Sequence, residues 1–442
     1  MKLCLPWFLT FAAVLTGCQS PRLPATVANV PPPGFTALWN GQDLTGWWGA
    51  DTEDPRTYLS LPAAEQQTKR AASLADIRQH WRVEQGELVN DGHGLFLTSD
   101  KNYGDFELLV DYRTVPLADS GIYLRGCPQV QIWDSTETAK FPLGAAKGSG
   151  GLWNNSPGIP GKDPLVKADK PFGEWNHFRI LMAGARVWVW LNGQPTVVGA
   201  TLENYFNRAL PVPPQGPIQL QTHGGEIRWR NVFIRELPPA EADQLLRGPA
   251  AAGFKSVFNG QDFTGWAGPV DNYVVQDGAI MCRPHQGGTI YTAAEFTNFI
   301  VRLDFKLPPG GNNGLAIRYP GTGDTAYAGM CECQVLDDNY EKNTGSKIDP
   351  RQAHGSAYGM VAAARGYQRP IGEWNYEEVT VRGSTLKVEL NGTVILDTDL
   401  SQVTEFASGY AHPGKDRLSG HFGFAGHNDP VMFRNISIQP LD

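Results

Sequence analysis

Short runs in which apolar and polar side chains alternate, each closed by a turn-forming pair, dominate the chain from about residue 34 onward. Arg186-Val187-Trp188-Val189-Trp190-Leu191 meets Asn192-Gly193, and Leu386-Lys387-Val388-Glu389-Leu390 meets Asn391-Gly392. A period of two puts alternate side chains on opposite faces of a strand, and Asn-Gly supplies the two positive φ angles of a tight hairpin. Many such segments at turn-bounded intervals predict antiparallel sheets packed as a sandwich or jelly roll, not an α/β fold. One stretch departs from this pattern. Between Asp54 and His80, Leu59, Leu61, Ala64, Leu74 and Ile77 recur among charges at roughly helical spacing, which predicts a helical insertion.

The pattern is written twice. Gly34-Phe35-Thr36-Ala37-Leu38-Trp39-Asn40-Gly41-Gln42-Asp43-Leu44-Thr45-Gly46-Trp47 returns as Gly253-Phe254-Lys255-Ser256-Val257-Phe258-Asn259-Gly260-Gln261-Asp262-Phe263-Thr264-Gly265-Trp266. Gly173-Glu174-Trp175-Asn176 returns as Gly372-Glu373-Trp374-Asn375, and both copies close on a strand containing Arg-Asn. The expected organisation is all-β: two tandem jelly-roll sandwiches over residues 34–238 and 253–442, a linker over 239–252, and the helical insertion in the first copy only.

The chain start bears on where the protein works. Met1-Lys2, an apolar stretch from Leu3 to Leu15, and then Thr16-Gly17-Cys18 have the layout of an export signal over residues 1–17. Leu15-Thr16-Gly17-Cys18 resembles the lipobox of bacterial lipoproteins, which implies lipidation at Cys18, and Gln19 points to the outer membrane. Residues 18–33 are rich in proline and read as a flexible tether. A net charge of −8 offers no basic stripe, so nucleic acid is not an expected partner. With 13 tryptophans, the chain has ample flat surface for sugars. Past the signal and Cys18, four cysteines remain: Cys127, Cys282, Cys331 and Cys333. Cys331 and Cys333 share one strand face; a disulfide to Cys282 or buried free thiols both satisfy the spacing.

The Phe-x-x-Leu-Trp-Asn-Gly opening, Ser120-Gly121-Ile122-Tyr123-Leu124-Arg125, Gln131-Ile132-Trp133-Asp134, the Gly-Glu-Trp-Asn segments and the His-Gly…Arg-Asn ending resemble the 3-keto-disaccharide hydrolase family. The resemblance covers nearly all of the mature chain, twice. It implies a concanavalin-like jelly roll and cleavage of glycosides already oxidised at carbon 3 by a partner sugar dehydrogenase. A 3-keto group acidifies the hydrogen on carbon 2, so a base can remove it and the carbon 1 oxygen can leave. That chemistry needs a base, a group to hold the enolate oxygen, and an acid for the leaving group.

Alternation along Cys331-Glu332-Cys333-Gln334-Val335-Leu336-Asp337 puts Glu332 and Gln334 on one face, with Asp337 following. The first copy has Gln129, Gln131 and Asp134 at those positions, so it lacks the carboxylate pair that ordinary glycoside hydrolysis requires. His223 and His427 occupy matching places and are candidate bases, or metal ligands, with His223 beside Asp134 or Gln131 as a possible divalent site. Arg125 and Arg318, also matched, could clamp a keto oxygen, and Lys167 could act as acid or clamp. Trp133 shares the face of Gln129 and Gln131, while Trp153 and Asn154 follow a glycine-rich loop; the two indoles are candidate sugar platforms. Trp175 and Trp374 are expected in the core. The leading expectation is a catalytic first copy, its pocket walled by the glycine-rich loop and the helical insertion. The alternatives are a pair of carbohydrate-binding modules, or one copy that cuts and one that binds.

Overall fold

The computed structural model describes residues 29–248 and 253–442. The expected export signal, Cys18 and most of the tether lie outside those residues. The first copy forms two antiparallel sheets. One runs Gln194–Thr201, Arg186–Leu191, Asn176–Ala183, Phe106–Thr114, Ile227–Glu236, Glu87–Asn90, Trp81–Glu84, with Thr36–Ala37 also paired to Ile227–Glu236. The other runs Trp47–Ala50, Phe96–Ser99, Gln219–Leu220, Asp119–Leu124, Cys127–Trp133. The second copy repeats both, its five-stranded sheet running Trp266–Ala267, Gly287–Phe296, Gly420–His427, Asn312–Tyr319, Cys331–Leu336. The protein is two tandem jelly-roll sandwiches.

Alternation explains the layering. In Arg186–Leu191, Val187, Val189 and Leu191 are buried, while Arg186, Trp188 and Trp190 are partly exposed. The apolar set faces Leu97, Ile122, Val130, Ile132 and Leu220 of the smaller sheet in one continuous core. Each such buried side chain contributes about 1.5–3 kcal/mol relative to exposure. Asn192 (φ 52°) and Gly193 (φ 81°) make the turn that the sequence indicates, as do Asn391 (φ 48°) and Gly392 (φ 80°). The copies also touch. Arg186 holds Glu389 through two bonds of 2.8 and 2.7 Å, and Ala185 N–H donates to Gly392 O at 3.0 Å.

The insertion is helical, over Pro55–Leu59 and Ala63–His80. Its Ser73 hydroxyl accepts a 2.8 Å bond from Gly49 N–H, which satisfies a donor on the edge strand Trp47–Ala50. Tyr58 meets Trp48 edge-on, with ring centroids 5.4 Å apart, and lies against Gly126. The insertion thereby covers one end of the small sheet's outer face.

Two expectations change. The stretch taken as a linker contains a helix, Pro239–Arg247, with proline at its first turn; its Ala242 and Leu246 pack with Ala183 and Tyr376. Trp175 and Trp374 are not core residues. They lie half-buried on the outer face of the large sheets, Trp175 between the guanidinium groups of Arg113 and Arg230 and Trp374 between Lys306 and Arg434. All four described cysteines are buried free thiols, Cys331 and Cys333 on the core side.

Candidate active site

On the outer face of the small sheet, Asp119, Gly121 and Tyr123 stand beside Trp133, Gln131 and Gln129 on the neighbouring strand, since Asp119 pairs with Trp133 and Gly121 with Gln131. Gly121 leaves room for the glutamines: a Cβ there would sit 3.0 Å from Gln129. The two glutamines are nearly fully buried yet form a chain. Gln129 Nε2 donates to Gln131 Oε1, and Gln131 Nε2 donates to Asp119 Oδ1 at 2.8 Å. Asp119 carries the load of the site. Its Oδ2 lies 3.4 Å from His223 Nδ1 and 3.1 Å from Lys140 Nζ. Lys140 arrives on the 3-10 turn Thr138–Leu143 and lies 3.0 Å from Glu137 as well.

The charges tune one another. The Asp119 bond raises the His223 pKa above its ordinary value, against a smaller opposing effect of burial. Burial works to raise the Asp119 carboxyl, but the bonds from His223 and Lys140 outweigh it and hold it below the usual range. Burial likewise disfavours the Lys140 ammonium, and Glu137 and Asp119 more than restore it. With Nδ1 turned to the carboxylate, Nε2 is the nitrogen left to take a proton, and the His223 side chain is 64% exposed. This is an anchored imidazole base beside a fixed ammonium.

The second copy carries the same row with the acid moved. Gln334 Nε2 donates to Asn312 Oδ1 at 2.9 Å, in the place of the Gln131–Asp119 bond. The carboxylate is Glu332, where the first copy has Gln129, and its Oε1 lies 3.5 Å from His427 Nε2. That bond raises the His427 pKa. The position of Lys140 holds Asn343, whose amide is spent on Asp337 at 2.6 Å.

Other candidates lie elsewhere or do other work. Arg125 is buried and donates to Gly104 O, Pro213 O and Asp105, while Arg318 donates to Thr297 O, Gly383 O and Arg417 O. Both guanidinium groups staple the backbone and are not free to hold a keto oxygen. Asp134 accepts from Leu117 N–H, Thr136 N–H and the Thr136 hydroxyl; Asp337 accepts from Gly310 N–H, Asn339 N–H and Asn343. These are turn-fixing carboxylates, and the carboxylate partner of His223 is Asp119 in place of Asp134. Lys167 is exposed and reaches only Ser135 O, at 3.4 Å. Among the described residues no group of three or more His, Cys, Asp or Glu side chains is placed to hold a metal ion. Trp133 and Trp153 meet edge to face at 5.9 Å, and Trp153 Nε1 donates to Leu143 O at 2.9 Å beside the Lys140 turn; Trp133, however, is buried with its Nε1 donating to Gly148 O at 2.9 Å, so of the two indoles only Trp153 is left as a platform. Asn154 flanks them; its backbone carbonyl accepts from Arg208. Asp119 and Lys140 escaped the sequence reading. Alternation back from Gly121 would have put Asp119 on the glutamine face, but Lys140 has no signal in its local pattern.

Residues 34–235 and 253–439 each match the 3-keto-alpha-glucoside-1,2-lyase-like domain. The chain belongs to this family. A relative from Bacteroides thetaiotaomicron named 3-keto-disaccharide hydrolase is 27% identical over 251 residues, covering 48% of this chain and 86% of its own length. Among solved structures, a candidate glycosyl hydrolase from Parabacteroides distasonis is 27% identical over 43% of this chain and 94% of its own, with a TM-score of 0.37. The carbohydrate-binding module CBM66 from Bacillus subtilis is 15% identical over 43% of this chain and 97% of its own, with a TM-score of 0.25. The family membership and the named relative make a glycosyl-hydrolase-like function for this chain.

Proposed function

We propose that the first copy cleaves 3-keto-glycosides by removing the carbon 2 proton, with His223 as base. The observation that carries this reading is the His223–Asp119–Lys140 cluster on an otherwise amide-lined face. The strands of the sheet row carry one carboxylate in each copy, Asp119 or Glu332, and the nearby Glu137 of the first copy is paired with the same Lys140 as Asp119, an arrangement unlike two free carboxylates flanking a glycosidic bond. A 3-keto sugar needs less. Neutral His223 Nε2 takes the proton, and the C2–H electron pair passes into the keto group as an enolate. Lys140 offsets the negative charge that develops on the oxygen. The electrons then return to expel the carbon 1 oxygen, which leaves as alcohol on receiving a proton, and water adds to the resulting enone to complete hydrolysis. Asp119 fixes the imidazole tautomer and stabilises the imidazolium. Trp153, partly exposed beside the Lys140 turn, supplies flat apolar surface for the sugar ring.

The second copy keeps an imidazole–carboxylate couple, and among the described residues no ammonium pairs with its Glu332, which favours a binding or slower role there. Export and lipid anchoring through Cys18, with a dehydrogenase partner supplying the keto sugar, complete the proposal; these rest on residues 1–18 and on the chemistry of the substrate. The test is release of sugar from 3-keto-trehalose, 3-keto-lactose and an aryl 3-keto-glucoside beside their unoxidised parents. Turnover of the keto forms alone is expected. Glycan binding without turnover of any of them would replace the enzyme with a surface lectin.

A further inference from the structure

A well-formed cleft lies away from the proposed active site. It has a volume of about 740 Å³ and opens between the Ala63–His80 helix, the Gln42–Trp48 turn and the Trp81–Glu84 strand. It borders Trp47–Ala50, the edge strand of the small sheet, three strand steps from Asp119–Leu124. That is roughly 14 Å across the sheet.

The helix turns one coherent face toward the cleft. Gln67, Arg70, Ala71, Leu74, Ile77 and Arg78 follow the i, i+3, i+4, i+7 spacing of a single side, and all six line it. Arg70 and Arg78 stand roughly 12 Å apart along the axis, by helix rise. Donors are in excess. Asp43 is engaged by Asn40 and Thr45 of its own turn, Arg82 is tied to Glu84 and Glu226, and Arg70 lies over the Trp48 ring, donating to Asp100 O at 3.2 Å with its carboxylate 3.4 Å away, which leaves further N–H donors of that guanidinium unused. Arg78 is exposed and has no ion-pair or hydrogen-bond partner among the described residues. Beneath them Trp47 Nε1, buried, has no acceptor, although the matching Trp266 Nε1 in the second copy donates to Val257 O at 2.9 Å.

The second copy shows what the insertion adds. Its corresponding cleft, beside the same Asn-Gly turn, holds about 490 Å³ and is lined by Ser256, Val257, Phe258, Asn259, Thr264 and neighbouring small residues, with no charged side chain. The insertion brings two arginines, one of them stacked on an aromatic ring, to a cleft half again the volume of the uncharged one in the second copy.

We propose that this cleft binds an acidic glycan, a short saccharide bearing a uronate carboxylate or a sulfate ester, between Arg70 and Arg78. A guanidinium matches either anion through paired N–H donors, and the volume is that of a small-ligand site able to take more than one sugar ring. The site is a holding site distinct from the proposed chemistry, so it does not depend on the turnover assigned to His223.

Calorimetric titration of the full chain with a uronate-containing tetrasaccharide, a sulfated one and a neutral one of equal length tests this. The acidic ligands are expected to bind at least tenfold tighter than the neutral one, and comparison of the two acidic arms names the anion. R78E should cost tenfold or more. A71W, which fills the cleft from an exposed helix position, should do the same without altering charge, and both variants should keep wild-type melting temperature and 3-keto-glycoside turnover. Equal affinity for acidic and neutral ligands, no binding at millimolar concentration, or acidic binding untouched by both R78E and A71W would overturn the proposal.

Discussion

The two copies share a fold and a histidine but exchange the residues around it. At three matched places on the small sheet the first copy has Asp119, Gln129 and Gln131, and the second has Asn312, Glu332 and Gln334. Each keeps one carboxylate and two amides, and the acid has changed strands. The bond from the glutamine amide across to the neighbouring strand survives the exchange, Gln131 to the Asp119 carboxylate in one copy and Gln334 to the Asn312 amide oxygen in the other. The histidine, however, presents a different nitrogen to its partner: Nδ1 to Asp119 and Nε2 to Glu332. The nitrogen left to act therefore points differently in the two copies, and among the described residues a lysine pairs with the acid of the first copy and none with that of the second. A repeat can hold its polar scaffold constant while moving the one charge that decides the chemistry.

The core shows a second exchange. Phe178 of the first copy corresponds to Glu377 of the second, which is fully buried, and burial pushes its carboxyl up to about 8. Its Oε2 has no hydrogen-bond partner; His354 Nε2, itself pushed down to about 3 by burial, lies 3.9 Å away. The second copy tolerates neutral polar groups in its core where the first has an aromatic ring.

These differences can be broken one at a time. D119N should lower turnover of a 3-keto-glycoside by roughly 10³-fold, as expected when the group that orients an imidazole base is neutralised, whereas E332Q should leave it nearly unchanged. The pH profile sharpens the same comparison. The base must be neutral, so kcat/KM should rise with pH through a value above the ordinary histidine range, and in D119N that limb should move to lower pH because the bond that raises it is gone. K140M should cost roughly 10²-fold, in kcat more than in KM, because its charge is needed once the enolate forms.

Stability separates the cores. Glu377 has a folded pKa above its ordinary value of 4.5, so it binds a proton in the folded state that the unfolded chain releases. Its contribution is complete below about pH 4.5 and is lost as pH rises through about 8. E377Q should therefore match wild type in melting at pH 5 and exceed it by several degrees at pH 9, as read by calorimetry; F178L in the first copy should show no such pH dependence. The smallest effect expected is that of D337A, which removes two bonds within its own turn and one from Gly310 N–H of a neighbouring loop and should lower the stability of the second sandwich by about 1–2 kcal/mol, measured by urea unfolding.

Much of the architecture was legible in the chain because alternation and Asn-Gly turns are local signals. The two sandwiches, the helical insertion and the buried cysteine face of Cys331-Glu332-Cys333 all follow from periodicity. The helix Pro239–Arg247 leaves little trace in the sequence because only Ala242 and Leu246 are buried in it, and their partners Ala183 and Tyr376 lie far off in the chain. The site was half legible. His223, Gln129, Gln131 and Trp133 could be placed on one face by parity and by the repeat. Arg125 and Asp134 were matched between copies as strongly as His223, yet their repetition reflects backbone fixing: a buried guanidinium and a turn carboxylate are as constrained by hydrogen bonding as a catalytic group. Lys140 reaches Asp119 through a turn whose path no local pattern encodes.

The central claim is that the imidazole of the first copy, and not that of the second, removes the proton. It is tested most directly by the turnover of an aryl 3-keto-glucoside by H223Q and H427Q in the full chain, side by side with wild type. The account predicts that H223Q is inactive while H427Q turns over at close to the wild-type rate. Activity that survives in H223Q and disappears in H427Q would contradict it and move the active site to Glu332 and the second copy.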